Sequence, residues 1–103
     1  MNKVRYEITL PLTLNDGSPQ PPGLIEWTAD EIVAAVGGCS VDGESVGFWK
    51  FDGVVYKDRN RRVLIDTDDS MSTSDFISQL KAVLKLRFQQ HEIYIVRYPI
   101  EVV

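Results

Sequence analysis

The chain has 103 residues, 44% of them hydrophobic, and a formal charge of −4 from 15 acidic and 11 basic side chains. That length suits one domain, read as residues 1–103, with a modest core. The acidic balance disfavours a general nucleic-acid binder, and no run approaches the roughly 20 apolar residues that span a bilayer. A single cysteine, Cys39, excludes an internal disulfide framework and a Cys-rich zinc site. Met1-Asn2-Lys3 leads straight into a strand pattern without a signal-type apolar stretch, so a cytoplasmic protein is expected.

The first strand is expected over Val4–Leu10. Val4, Tyr6, Ile8 and Leu10 alternate with Arg5, Glu7 and Thr9, as in a half-buried strand. Residues Asn15 to Gly23 hold an Asp-Gly pair, three prolines and a serine, and read as a long mobile flap. Thr28 then fits the N-cap of a helix. Glu31 would complete a capping box, and Trp27 would staple onto Ile32. Gly37-Gly38 ends that helix.

A hairpin follows, with arms Glu44–Phe51 and Val54–Asp66 around Asp52-Gly53. Asp-Gly between apolar runs is the strongest short-range signal for a two-residue turn. Such a turn places Phe51 opposite Val54, Lys50 opposite Val55 and Trp49 opposite Tyr56. The polar middle of the second arm suggests that the tip projects beyond the helices or that the strand bulges. A second helix is expected from an N-cap at Ser72, with apolar positions at Phe76, Ile77, Leu80, Val83, Leu84 and Phe88. The last strand, Glu92–Val103, places Tyr94, Val96 and Tyr98 on one side. Pro99 marks a bulge or an exit from the sheet.

The order β-α-β-β-α-β defines an α+β, two-layer ferredoxin-like sandwich: an antiparallel four-stranded sheet with two helices on one face. The helices cover one sheet face only, so Tyr94, Val96 and Tyr98 form the expected interface of a homodimer. Lys57, Arg59, Arg61 and Arg62 form an expected edge for an acidic protein partner. Tyr6, Trp49 and Tyr56 are the expected lining of a pocket.

Several chemistries find no support in the pattern. His91 lacks a visible orienting group and nucleophile, so no catalytic residue is assigned. Asp66, Asp68 and Asp69 lack the glycine and distal glutamate of a calcium loop, and no metal or cofactor is expected. Cys39 follows a helix C-terminus, the pole that disfavours a thiolate. The aromatic hairpin and its basic arm invite an RNA-binding reading, but the Lys/Arg-Gly-aromatic signature of an RNA-recognition domain is missing. The functions therefore rank as a self-associating interaction module first, a small-ligand binder or enzyme second, and RNA binding third.

The chain also resembles a family of small bacterial α+β proteins of unknown function. The matching stretches are Asn15-Asp16-Gly17, Trp27, Trp49 to Gly53, the basic Lys57–Arg62 arm, and Arg87-Phe88-Gln89-Gln90. That family often carries a secretion leader, which is not expected here, and it often has glycine where this chain has Gln89. The resemblance implies a fold and no site residue.

Overall fold

A computed structural model describes residues 2–103. Its elements in chain order are β1 (Lys3–Pro11), α1 (Leu24–Val36), β2 (Ser40–Phe51), β3 (Val54–Asp68), α2 (Met71–Arg87) and β4 (Ile95–Ile100). The four strands form one antiparallel sheet in the order β2-β3-β1-β4. This is the expected ferredoxin-like sandwich. Pleat alternation on β1 explains how the layers meet. Val4, Tyr6, Ile8 and Leu10 point to the helices and join one buried cluster with Ile32 of α1 and Ile77, Leu80 and Leu84 of α2. Lys3, Arg5, Glu7 and Thr9 occupy the other, open face.

The β2–β3 hairpin turns through Asp52 and Gly53, with φ of 50° and 79°. Both residues take the left-handed region that this turn requires. The register places Phe51 opposite Val54, Lys50 opposite Val55 and Trp49 opposite Tyr56, as the turn length dictates. β2 begins earlier than expected, at Ser40, because a bulge interrupts its pairing. Val41 faces Val63, but Glu44 faces Arg61, so β2 spends one extra residue there. Beyond the bulge Glu44, Val46, Phe48 and Lys50 take the helix side. Ser45, Gly47, Trp49 and Phe51 take the open side.

Both helix starts differ from expectation. Pro21-Pro22 precede Gly23, whose φ of 86° turns the chain, and α1 begins at Leu24. Thr28 is consequently an interior residue. Its hydroxyl donates to the Leu24 carbonyl at 2.8 Å, so there is no capping box at Glu31. The extra turn lets Leu24 and Ile25 pack against the core. In α2 the cap is Ser70, not Ser72; its hydroxyl accepts from the Thr73 amide at 3.2 Å. β4 begins at Ile95 rather than Glu92, and Pro99 lies within it, tolerated because β4 is an edge strand.

The expected flap is a pinned hairpin. Leu14 donates to the Ser18 carbonyl at 2.7 Å, and Gln20 donates to the Leu12 carbonyl at 3.0 Å. The Gln20 side chain also donates to the Phe88 carbonyl at 2.8 Å, which ties the segment to the end of α2. Between the helices, Arg87 is almost fully buried. Its guanidinium lies 3.7 Å from the Trp27 ring centroid, and it donates to Thr28 Oγ1 at 2.9 Å and to Glu31.

Two stability effects follow. Gln89 holds a φ of 53° directly after the α2 cap, a conformation costing a non-glycine residue about 1 kcal/mol. Gln89→Gly should therefore be neutral or stabilising by up to about 1 kcal/mol in urea denaturation. Arg87→Met should destabilise by about 1–3 kcal/mol, because it leaves Thr28 and Glu31 without their donor. Unchanged denaturation of Arg87→Met would show that the network contributes nothing to stability.

Candidate functional site

β3 is 15 residues long and β1 is 9. Their pairing ends at Pro11 opposite Asn60. The Leu12 amide still donates to the Arg59 carbonyl at 3.0 Å, so residues 54–58 run past the sheet with only β2 paired to them, and the molecule extends to 44 Å on its long axis. This two-stranded arm exposes apolar side chains on both faces, interleaved with Lys50, Lys57 and Arg59 on the helix side. Val46, Phe48 and Val55 lie on its helix side, with Phe48 70% exposed. Trp49, Phe51, Val54 and Tyr56 lie on its open side, with Phe51 65% exposed.

Trp49 and Tyr56 stack with centroids 4.5 Å apart and planes 17° from parallel. The Trp49 indole N–H donates to the Asp58 carboxylate, which fixes the ring. Gly47 stands opposite Asp58 and presents no side chain between them. At the root of the arm a cleft of about 590 Å³ opens between these residues and the 90–94 connection. It follows the free edge of β3, so Lys57 and Arg59 border it as well as Tyr56 and Asp58. Thr13, Asn15, His91, Glu92 and Tyr94 line its other side.

Tyr6 does not belong to this site. It lies on the helix-covered face of β1 at 5% exposure, so the expected pocket of Tyr6, Trp49 and Tyr56 is not assembled. Trp49 and Tyr56 come together; Tyr6 is core. The four arm cations also fail to form one edge. Lys57, Arg59 and Arg61 fall on the helix side and Arg62 on the open side, because alternation separates neighbours in a strand. Three of them have partners in the chain. Arg59 pairs with Glu44, Arg61 donates to the Asp42 carbonyl at 3.0 Å, and Arg62 lies 4.0 Å from Glu7.

Tyr94, Val96 and Tyr98 do share the open face, where Val96 stands opposite Glu7 and Tyr98 opposite Arg5. Their surroundings are charged. Arg5 reaches Asp66 through two hydrogen bonds of 2.6 and 2.8 Å, and Lys3 pairs with Asp68 at 2.6 Å. The Tyr98 hydroxyl also supports the Arg5 charge, behind the larger contribution of Asp66. The open face is thus a cross-strand ladder of ion pairs with aromatic and aliphatic residues along β4.

Cys39 is half-buried. Burial, and then the Asp30 charge, push its thiol above the ordinary value, opposite to activation. His91 lines the cleft, and its only carboxylate neighbour in sequence, Glu92, is engaged by Lys81 at 3.0 Å and Lys85 at 3.5 Å. Among the described residues no three His, Cys, Asp or Glu side chains converge in a way that could hold a metal ion. No helix is long and apolar enough to cross a membrane.

These features define a ferredoxin-like α+β protein with a projecting apolar hairpin and a cleft at its root. No family model and no curated protein sequence matches the chain. Solved structures do. CutA1 from Thermus thermophilus, a divalent cation tolerance protein, matches with a TM-score of 0.68 and 16% identity, over 98% of this chain and 86% of that one. CutA1 from a psychrotrophic Shewanella species gives 0.72 and 11%, over 98% and 83%. A phage SAM lyase in its apo state gives 0.69 and 14%, over 95% and 81%. At these identities the likeness shows the fold alone. The bacterial family suggested by the sequence agrees with these proteins in being small and α+β, and the solved structures supply CutA1 as a specific group with this fold.

The site's ion pairs set a pH dependence. Asp66 is held below the ordinary carboxylate range chiefly by the Arg5 hydrogen bond, Glu44 by that of Arg59, and Glu92 by that of Lys81. A depressed folded pKa stabilises above the unfolded value, about 4, and that contribution is lost as pH falls through the lower folded value. Urea midpoints should therefore drop on acidification below about pH 4, and Asp66→Asn should make the drop shallower. An identical acid limb in Asp66→Asn would exclude Asp66 from it.

Proposed function

We propose that this chain is a cytoplasmic, self-associating interaction module, the smallest assembly being a homodimer. The arm supports the reading. A two-stranded hairpin is marginal in water by itself, and this one exposes aromatic and branched side chains on both faces. Exposed apolar patches of that kind mark interaction sites. β2 is in addition a sheet edge of 12 residues without proline, an open template for another strand.

The other copy of the chain offers a matching surface. Val96 and Tyr98, with Tyr94 at the margin, lie along β4 on the open face, which no helix covers. Seating the helix side of one arm, Val46, Phe48 and Val55, against this strip in the partner would cover both apolar surfaces. Reciprocal exchange closes as a two-fold dimer. The lone, unactivated Cys39 suits a reducing compartment, in which disulfides are rare. "Divalent cation tolerance" describes the CutA1 proteins. It is not carried over as an activity here, since the described residues supply no converging donor set.

Multi-angle light scattering over a range of concentrations tests the proposal. The wild type should show a mass of two chains or a larger whole multiple. Phe48→Lys and Tyr98→Lys should each shift it towards one chain while circular dichroism stays unchanged. A concentration-independent monomer mass for the wild type would end the proposal.

A further inference from the structure

The cleft at the root of the arm lies along the free edge of β3, beside Trp49 and Tyr56, and meets the surface proposed for self-association at Lys57, which stands opposite Phe48. Its aromatic wall is unusual for a packing contact. Trp49 stacks on one face of Tyr56, Asp58 holds the indole N–H, and Tyr56, on the strand that borders the cleft, nonetheless remains 40% exposed. The pair is fixed, and the outer face of Tyr56 is left available. Preorganised aromatic planes bind planar rings by stacking, worth about 1–3 kcal/mol per base in nucleic-acid recognition.

The charges in the cleft choose between ligand classes. Both carboxylates are committed, Asp58 to the Trp49 indole and Glu92 to Lys81 and Lys85. Arg59 is committed to Glu44. Lys57 and His91 also line the cleft, and neither makes an ion pair among the described residues. The uncommitted groups are a cation and an imidazole, so the site favours an anion over an organic cation. Thr13 and Asn15 supply polar side chains for the edge of a ring. A volume of about 590 Å³ lies within the usual span of small-ligand sites, roughly 300–1,000 Å³.

We infer that this cleft binds a small anionic ligand with a planar heteroaromatic ring, the class of a mononucleotide. Its ring stacks on Tyr56, which Trp49 backs from behind, and its anionic group lies towards Lys57 and His91. Binding involves no covalent step.

Titration with AMP tests the inference in a Trp27→Phe background, where Trp49 is the remaining indole and its fluorescence reports the site. AMP should quench saturably, with one ligand per chain by calorimetry. Adenosine should bind about tenfold more weakly, a loss of about 1.4 kcal/mol. Lys57→Ala should lower AMP affinity to the level of adenosine and leave adenosine unchanged. Trp49→Leu should weaken both, and Lys57→Ala keeps the test valid if Trp49→Leu disturbs the arm. Absence of saturation by AMP, GMP, CMP and UMP up to about 1 mM, the weak end of specific binding, overturns the inference. So does equal competition by inorganic phosphate, which would leave the ring without a role. Binding of a short single-stranded RNA about a hundredfold tighter than any mononucleotide also overturns it, in favour of a nucleic-acid groove.

Discussion

A mismatch of strand lengths governs this molecule. β3 continues through residues 54–58 beyond its last hydrogen bond to the β1 side, and only β2 pairs with the extension. A strand inside a two-layer sandwich hides one face under helices. The extension has no helix above it, and Val54, Val55 and Tyr56, with Val46, Phe48, Trp49 and Phe51 beside them, nevertheless leave large apolar side chains in solvent. The arm's exposed aromatics, the free β2 edge and the cleft at its root all follow from this overhang. Had β1 been as long as β3, Trp49 and Tyr56 would lie in a continuous sheet and no cleft would form beside them.

The bulge between Val41 and Glu44 reconciles the register that the turn sets in the overhang with the core-facing root of β2. Side chains in a strand alternate, so one extra residue exchanges the two faces for everything beyond it. With the bulge, Trp49 shares a face with Asp58 and the open side of β1. Without it, the turn would still hold Trp49 opposite Tyr56 on the open side, but Val41 would stand opposite Leu64 on that open side instead of opposite Val63 against the core. The same alternation keeps Tyr6 in the core and divides Arg61 from Arg62. On the open face the rule gathers Lys3, Arg5, Asp66 and Asp68 into a ladder of exposed ion pairs. Individually such pairs stabilise little. Collectively they keep that face hydrated, which concentrates its apolar character along β4.

The parts that were legible in the sequence are those fixed by local geometry. Asp52-Gly53 set the turn, the turn set the register, and the register brought Trp49 onto Tyr56. The periodicities of β1 and α2 likewise identified Ile8, Leu10, Ile77, Leu80 and Leu84 as core-facing. Helix starts were not legible, because competing residues offered equivalent caps. Thr28 and Ser72 both resemble N-caps, but Gly23 and Ser70 lie where the chain actually turns. The bulge left only Asp42-Gly43 as a trace, too weak to fix a register. The cleft was half legible. Trp49 and Tyr56 were identified, whereas His91, Glu92 and Thr13 reach it through long-range packing of the 90–94 connection and the pinned 13–20 hairpin. The separation of Arg62 from Lys57, Arg59 and Arg61 was readable from parity alone.

The stability of the arm links its two faces. Few interactions hold a lone ribbon: its ladder, the Trp49–Tyr56 stack, the Trp49–Asp58 hydrogen bond and, at its root, the Arg59–Glu44 ion pair. Such a segment belongs to the low-stability end of a fold, where local opening costs least. Covering either face removes apolar surface from water and suppresses that opening. Occupation of one face then reduces the ordering that occupation of the other requires. Coupling of this kind needs no change of shape. The core, the Arg87 network between the helices and the ion-pair ladder lie outside the arm, so the layer that carries it can stay fixed while the arm alone changes its order.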